Sequence, residues 1–150
     1  MGRFTKIIYQ VVFGTYRRQP LMIEREKRHR LQANINATIQ GEGCFVYIVN
    51  GVEDHVHLLF DLTPSKALSD VVQTVKVVSN KFAKKELGWE NFKWQRGYGA
   101  FTYSPEALPN LIAYIERQEE HHRKKTFRQE FVQLLERHQV SYEDAWIDED

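Results

Sequence analysis

The fold is set by residues 45–60, which read FVYIVNGVEDHVHLLF. Two apolar runs, 45–49 and 55–60, flank a polar segment that begins with an Asn-Gly pair. Short apolar runs around Asn-Gly are typical of antiparallel strands joined by a turn. These residues therefore predict a β-hairpin, around which the other elements can be placed.

The segments on either side extend this hairpin to a βαββαβ order. Residues 4–13 are rich in β-branched and aromatic side chains and predict a first strand. Apolar residues recur at helical spacing over 24–40 and 68–88, which predicts two helices. The aromatic, glycine-containing stretch 92–103 predicts a last strand entered through a turn or bulge. The order is that of an α+β, ferredoxin-like or RRM-like sandwich with an antiparallel sheet.

Two further helices are predicted after the sheet. The first begins near Ser104 or Pro109 and buries a stripe that includes Leu111 and Ile115. The second covers 127–137 and precedes an acidic end. Because 127–150 contains no motif, we expect it to contribute packing and a solvated acidic surface. Because the sequence contains no internal repeat and no low-complexity linker, residues 1–150 are interpreted as one domain.

Composition excludes several classes of protein. The chain is 42% hydrophobic and 27% charged, as expected for a globular domain rather than a disordered or fibrous one. No apolar run approaches the roughly 18–20 residues that a membrane span needs, and no secretory signal is visible, so we expect a cytoplasmic protein. Cys44 is the single cysteine, which excludes an internal disulfide and a cysteine zinc cluster.

Charge is distributed unevenly along the chain. Residues 1–97 carry 15 basic and 9 acidic residues, whereas 98–150 carry 6 and 11. Basic residues mixed with aromatics favour binding of single-stranded nucleic acid, since cations hold phosphates while aromatic faces stack on bases. The candidate contacts are Arg17, Arg18, Arg28, Lys76, Lys81, Lys84, Trp94, Arg96 and Tyr98.

Two short patterns contain residues suited to chemistry. His55-Val56-His57 places two imidazoles on one face of a strand, where they can share a metal ion or can equally be ordinary strand histidines. Tyr114 and Gln118 are four apart, which predicts neighbours on one face of a helix beside its buried stripe. A tyrosine at that position can also simply cover the edge of the core. We expect the following His121-His122 pair to lie on a solvated face.

Together, His55-Val56-His57, Trp94-Gln95-Arg96-Gly97-Tyr98 and Tyr114-x-x-x-Gln118 resemble the single-tyrosine HUH transposases of bacterial insertion sequences and the related REP-associated tyrosine transposases. The resemblance covers residues 3–126 and includes the Tyr16-Arg17-Arg18 segment after the first strand.

The resemblance implies a metal-dependent endonuclease and strand transferase acting on single-stranded DNA. His55, His57 and Gln118 match the family's metal ligands, and Tyr114 matches its nucleophile. The implied cofactor is Mg²⁺ or Mn²⁺, and the implied product is a 5′-phosphotyrosine with a free 3′-hydroxyl. The implied partners are DNA hairpins at element ends and a second subunit in a homodimer, whose tyrosine helix can complete the active site in trans.

Two alternatives remain open at this stage. Ferredoxin-like sheets also bind nucleic acid without chemistry, as a domesticated transposase would. Another HUH nickase, of the replication-initiator or relaxase type, or a metal-dependent phosphoesterase would use the same histidine pair.

Overall fold

The computed structural model of the chain describes residues 2–148. One antiparallel sheet has the strand order β2-β3-β1-β4. The strands are β1 (Ile8–Gly14), β2 (Phe45–Gly51), β3 (His55–Asp61) and β4 (Gly99–Tyr103). The helices are α1 (Arg25–Gly41), α2 (Leu68–Lys85), α3 (Leu108–Glu116), α4 (Gln118–Lys124), α5 (Phe127–Arg137) and α6 (Asp144–Ile147). The α+β sandwich with a βαββαβ order is therefore confirmed.

The two faces of the sheet are covered by different helices. On β3, Val56 and Leu58 point into the core formed with α1 and α2. The alternate residue Leu59 packs on the opposite face against Ile8 and Ile115 of α3. Side chains alternate between the faces of a strand, so His55 and His57 lie on this second face, beneath the C-terminal helices.

The first and last strands are shorter than predicted. β1 begins at Ile8, which pairs with Asp61 and Tyr103, the final residues of β3 and β4. Because both neighbouring strands end there, residues 4–7 have no strand to pair with. Before β4, Gly97 has a φ of 71°, which turns the chain away from strand geometry. The segment 92–98 keeps only an isolated bridge between Trp94 and Thr15.

The C-terminal part of the chain contains more helices than predicted. Residues 104–148 form α3, α4, α5 and the short α6, where the sequence predicted two helices. Among the helices of residues 2–148, none combines the length and apolar character needed to cross a bilayer.

Candidate active site

The two histidines of β3 form the floor of the site. Both side chains are fully buried, and their ring centroids lie 5.3 Å apart. Nδ1 of His55 is 2.7 Å from Oδ1 of Asp54, and Nδ1 of His57 is 2.9 Å from Nε2 of Gln10. Since each Nδ1 already has a partner, both rings present Nε2 to the interior of the site.

Gln10 joins His57 to a longer chain of polar groups. The Tyr103 hydroxyl donates to Oε1 of Gln10 at 2.6 Å and lies 3.1 Å from Nε2 of His138. A 180° turn of the Gln10 amide would exchange its donor and acceptor ends in nearly the same space. Oε1 of Gln10 would then accept a hydrogen bond from the Nδ1–H of His57, and this tautomer leaves Nε2 free to bind a metal.

Tyr114 and Gln118 come from two helices rather than one. The chain leaves helical geometry at Arg117, with φ −100° and ψ 30°, so Tyr114 lies in the last turn of α3 and Gln118 begins α4. The prediction of one continuous helix was wrong. The side chain of Asn50 on β2 explains the break, because its Nδ2 donates to the carbonyl oxygens of Ile115 at 2.8 Å and Glu116 at 3.3 Å.

The break still leaves both side chains at the histidines. Gln118 is fully buried, and its Oε1 lies 3.2 Å from Nε2 of His55. The half-buried Tyr114 ring is 6.5 Å from that of His57. Both contacts form within one chain, and assembly of the site from two subunits stays a prediction.

Glu130 of α5 is a part of the site that the sequence analysis missed. Its side chain is 3% exposed, and Oε1 lies 2.6 Å from Nε2 of His57. Residues 127–150 were expected to provide only packing and an acidic surface, and for Glu130 this was wrong. A signal was present, because Glu130 falls on the apolar stripe of an amphipathic helix with Phe127 and Leu134.

Burial and the neighbouring groups determine the protonation of the site. Desolvation lowers the pKa of His57, so its ring is neutral at pH 7 and can act as a ligand. Desolvation alone would raise the pKa of Glu130, but contacts with His57 and Gln118 lower it below its usual range, so this group is a carboxylate at pH 7. Burial, reinforced by the Glu130 carboxylate, raises the pKa of Tyr114 well above its usual range.

A cavity of about 340 Å³ opens beside Tyr114. This volume lies within the range of roughly 300–1,000 Å³ typical of small-ligand pockets. Its lining includes Glu130 and Gln10, and Lys125 and Arg137 supply positive charge. The cavity therefore gives an anionic group access to the Tyr114 side chain.

The adjacent histidines of α4 also face the site. His121 stacks on the Tyr114 ring at 4.2 Å between centroids, and Nε2 of His122 lies 2.8 Å from Oε1 of Glu53. The expectation of a solvated face was therefore wrong for both. His121 contributes by holding the tyrosine ring in place.

The predicted DNA contacts divide into exposed and buried residues. Tyr98 is 38% exposed and offers an aromatic face, whereas Trp94 is buried between Phe13 and Phe92 and donates from Nε1 to Ser79. Trp94 is therefore a core residue, and its prediction as a DNA contact was wrong. The exposed members of the group are Arg17, Lys81, Lys84 and Arg96.

Three cations of the group are already paired with other groups of the protein. Arg28 is 6% exposed and bonds to the carbonyl of Met22 and to Glu119, so its inclusion as a DNA contact was wrong. The Lys76 ammonium donates to the carbonyls of residues 95 and 97, and burial lowers its pKa to about 8. The Arg18 guanidinium lies 2.9 Å from Asp148.

Arg28→Ala is expected to lower the free energy of unfolding by about 2 kcal/mol, because hydrogen bonds to a charged group are lost. Chemical denaturation measures this change. Lys84→Ala, which removes an exposed cation, should leave stability close to wild type and weaken binding of single-stranded DNA. The interpretation of Arg28 as structural would be wrong if its substitution weakened DNA binding at unchanged stability.

The donor set fits a divalent cation. His55, His57 and Gln118 offer two imidazole nitrogens and an amide oxygen, and Glu130 adds a carboxylate. Nε2 of His57 and Oε2 of Glu130 have no hydrogen-bond partner within residues 2–148 although both are buried. Buried polar atoms without partners are costly, and a shared cation would satisfy them.

Known proteins are similar to this chain in sequence or in fold. The chain is 33% identical over 82 residues to the ISDra2 transposase TnpA of Deinococcus radiodurans; the match covers 51% of this chain and 59% of that protein. A crystal structure of a Deinococcus radiodurans R1 protein suggested to be a transposase superposes with a TM-score of 0.61 and 23% identity, covering 79% of this chain and 95% of that one.

A REP-associated tyrosine transposase bound to a REP hairpin superposes with a TM-score of 0.59 at 14% identity, covering 81% of this chain and 72% of that one. At these identities the two solved structures establish the shared fold. The family model for IS200-like transposases matches residues 3–118, which contain β1 through α3 and Gln118. The chain therefore belongs to the IS200-like transposase family.

Proposed function

We propose that this chain is a metal-dependent transposase that cuts and rejoins single-stranded DNA through a covalent bond to Tyr114. One observation carries the proposal: Gln118 lies 3.2 Å from His55, and the Tyr114 ring lies 6.5 Å from that of His57. The Tyr114 phenol therefore lies beside side chains of the types that bind metals and next to a cavity, and this arrangement supports the proposed roles.

The proposed reaction is a transesterification at phosphorus. Oη of Tyr114 forms a bond to the scissile phosphorus, and the bond from phosphorus to the 3′ oxygen breaks. The phenol loses one proton and the departing 3′ oxygen gains one, so the products are a 5′-phosphotyrosine and a 3′-hydroxyl. Since the ester is conserved, another 3′-hydroxyl can reverse the step and join strands.

Activation of Tyr114 is the main chemical requirement. Its pKa is raised by burial and by Glu130, so the neutral phenol predominates before DNA binds. His55, His57 and Gln118 would hold Mg²⁺ or Mn²⁺. When bound, such an ion supplies Lewis-acid chemistry by polarising the scissile phosphate and offsetting its developing charge. His121 keeps the ring of Tyr114 oriented by stacking on it.

The DNA would be held by positive charge around the cavity and on the exposed basic surface. Lys125 and Arg137 line the cavity next to Tyr114 and would bind phosphates flanking the scissile one. We further propose that the substrates are single strands of DNA that fold into hairpins at the ends of the element. The hairpin bound by the structurally similar REP-associated transposase supports this choice. A homodimer stays a prediction.

The proposal is tested with labelled DNA from the flanks of the gene, offered as single strands and as duplex, with Mn²⁺ or EDTA. We expect a protein–DNA band that survives denaturing electrophoresis and forms only with single strands and metal. Binding of the flanking single strands without any cleavage or covalent product would contradict the enzyme proposal and favour a non-catalytic DNA-binding protein.

A further inference from the structure

Glu130 is buried in the candidate site but has no role in the proposed function. It lies in α5, outside the region 3–118 that matches the family model, yet its carboxylate reaches the histidines. It is the only acidic residue buried within residues 2–148. The ion pairs in this part of the chain give it no lysine or arginine partner, although burying a carboxylate is costly without compensation.

One hydrogen bond reaches Glu130 from the proposed ligands, because Nε2 of Gln118 donates to its Oε1 at 3.4 Å, whereas its contacts with the histidines are not hydrogen bonds. Oε1 of Glu130 is 2.6 Å from Nε2 of His57, yet that nitrogen makes no hydrogen bond of acceptable geometry. Oε2 of Glu130 is 3.9 Å from Nε2 of His55 and is likewise unpaired within residues 2–148. The imidazole nitrogens and the carboxylate thus converge on one small buried volume.

Local structure holds Glu130 in this position. Thr126 caps α5 by accepting from the backbone N–H of Gln129, whose side chain accepts from the Thr126 N–H in return. Phe127 stacks on the His55 ring, with centroids 4.4 Å apart and planes 10° from parallel. Residues three apart share a helix face, so anchoring Phe127 on His55 directs Glu130 towards His57.

We propose that Glu130 is a fourth protein ligand of the divalent cation, which makes α5 a structural part of the metal centre. The inference rests on the proposed function, which assigns the cation to His55, His57 and Gln118. Those three ligands are two imidazole nitrogens and an amide oxygen, none of which brings a negative charge, whereas Mg²⁺ and Mn²⁺ favour anionic oxygen donors. The Glu130 carboxylate supplies the negative charge that this set lacks.

The test is direct titration of the full-length chain with Mn²⁺, following free Mn²⁺ by electron paramagnetic resonance without DNA. Glu130→Gln keeps the shape of the side chain and removes its charge. We expect it to raise the dissociation constant for Mn²⁺ by at least about 10-fold, since even groups outside the ligand sphere typically cost that much. Glu136→Gln, the same change on the exposed side of α5, should bind Mn²⁺ like wild type.

The outcomes distinguish a failure of this inference from a failure of the proposed function. If Glu130→Gln binds Mn²⁺ as wild type does, or more tightly, while His57→Ala loses binding, Glu130 is no ligand but the metal site stands. If the wild type binds no Mn²⁺, both fail. Should Glu130→Gln not fold, Glu130→Asp keeps the charge on a shorter side chain. Its affinity should then fall below that of wild type, and an unchanged value would overturn the inference.

Discussion

Tyr114→Phe is expected to abolish the covalent protein–DNA product and to reduce strand cleavage on the order of 10³-fold or more, as loss of a nucleophile does in other enzymes. The substitution removes one oxygen and keeps the ring, which packs beside Ile8, Leu59 and Ile115 and stacks on His121. Folding and Mn²⁺ binding should therefore stay close to wild type. The measurement is denaturing electrophoresis with labelled single-stranded DNA.

Tyr47→Phe provides the matched control for this change. Within residues 2–148, the hydroxyl of Tyr47 has one hydrogen-bond partner, the exposed Lys6 at 3.5 Å, so the same chemical deletion should leave the covalent product intact. A covalent product from Tyr114→Phe would assign the nucleophile to another residue. Tyr103 would then be the first candidate, because its side chain lines the same cavity.

The features that sequence could predict are those set by local periodicity. The apolar runs 45–49 and 55–60 predicted the hairpin and the common face of His55 and His57, since both follow from the geometry of a strand. The turn was placed wrongly: Asn50 and Gly51 pair with β3 as the last residues of β2, and residues 52–54 form the connection. The approach of Gln118 to His55 was available only through resemblance to a family. No local rule relates β3 to a residue more than sixty positions away.

The features that escaped prediction depend on contacts between distant elements. The break at Arg117 is stabilised by Asn50 of β2, whose side chain donates to two carbonyl oxygens at the end of α3. Arg28 was interpreted as a DNA contact because its neighbours are basic, yet α1 turns it inward to Met22 and Glu119. Charge patterns along a sequence indicate composition, whereas burial decides which charges solvent and DNA can reach.

His57→Ala is the second change with a large expected effect. It removes one imidazole ligand and leaves Glu130 buried without its 2.6 Å neighbour. We expect metal-dependent cleavage to fall below detection, and Mn²⁺ binding to weaken by at least about 10-fold. The same DNA assay and Mn²⁺ titration measure both effects. Circular dichroism checks folding, because truncation in a fully buried site also costs stability. His29→Ala, on the exposed side of α1, is the control and should behave as wild type.

Mixing His57→Ala with Tyr114→Phe then decides how the site is assembled. Gln118 contacts His55 within one chain, and Asn50 fixes the end of α3 in the same chain. Each mutant subunit therefore lacks a group that its own site requires, and the mixture should form no covalent product. Recovery of the product in the mixture would contradict assembly within one chain. It would mean that the tyrosine helix of one subunit completes the histidine site of its partner, because only that exchange unites an intact Tyr114 with an intact His57.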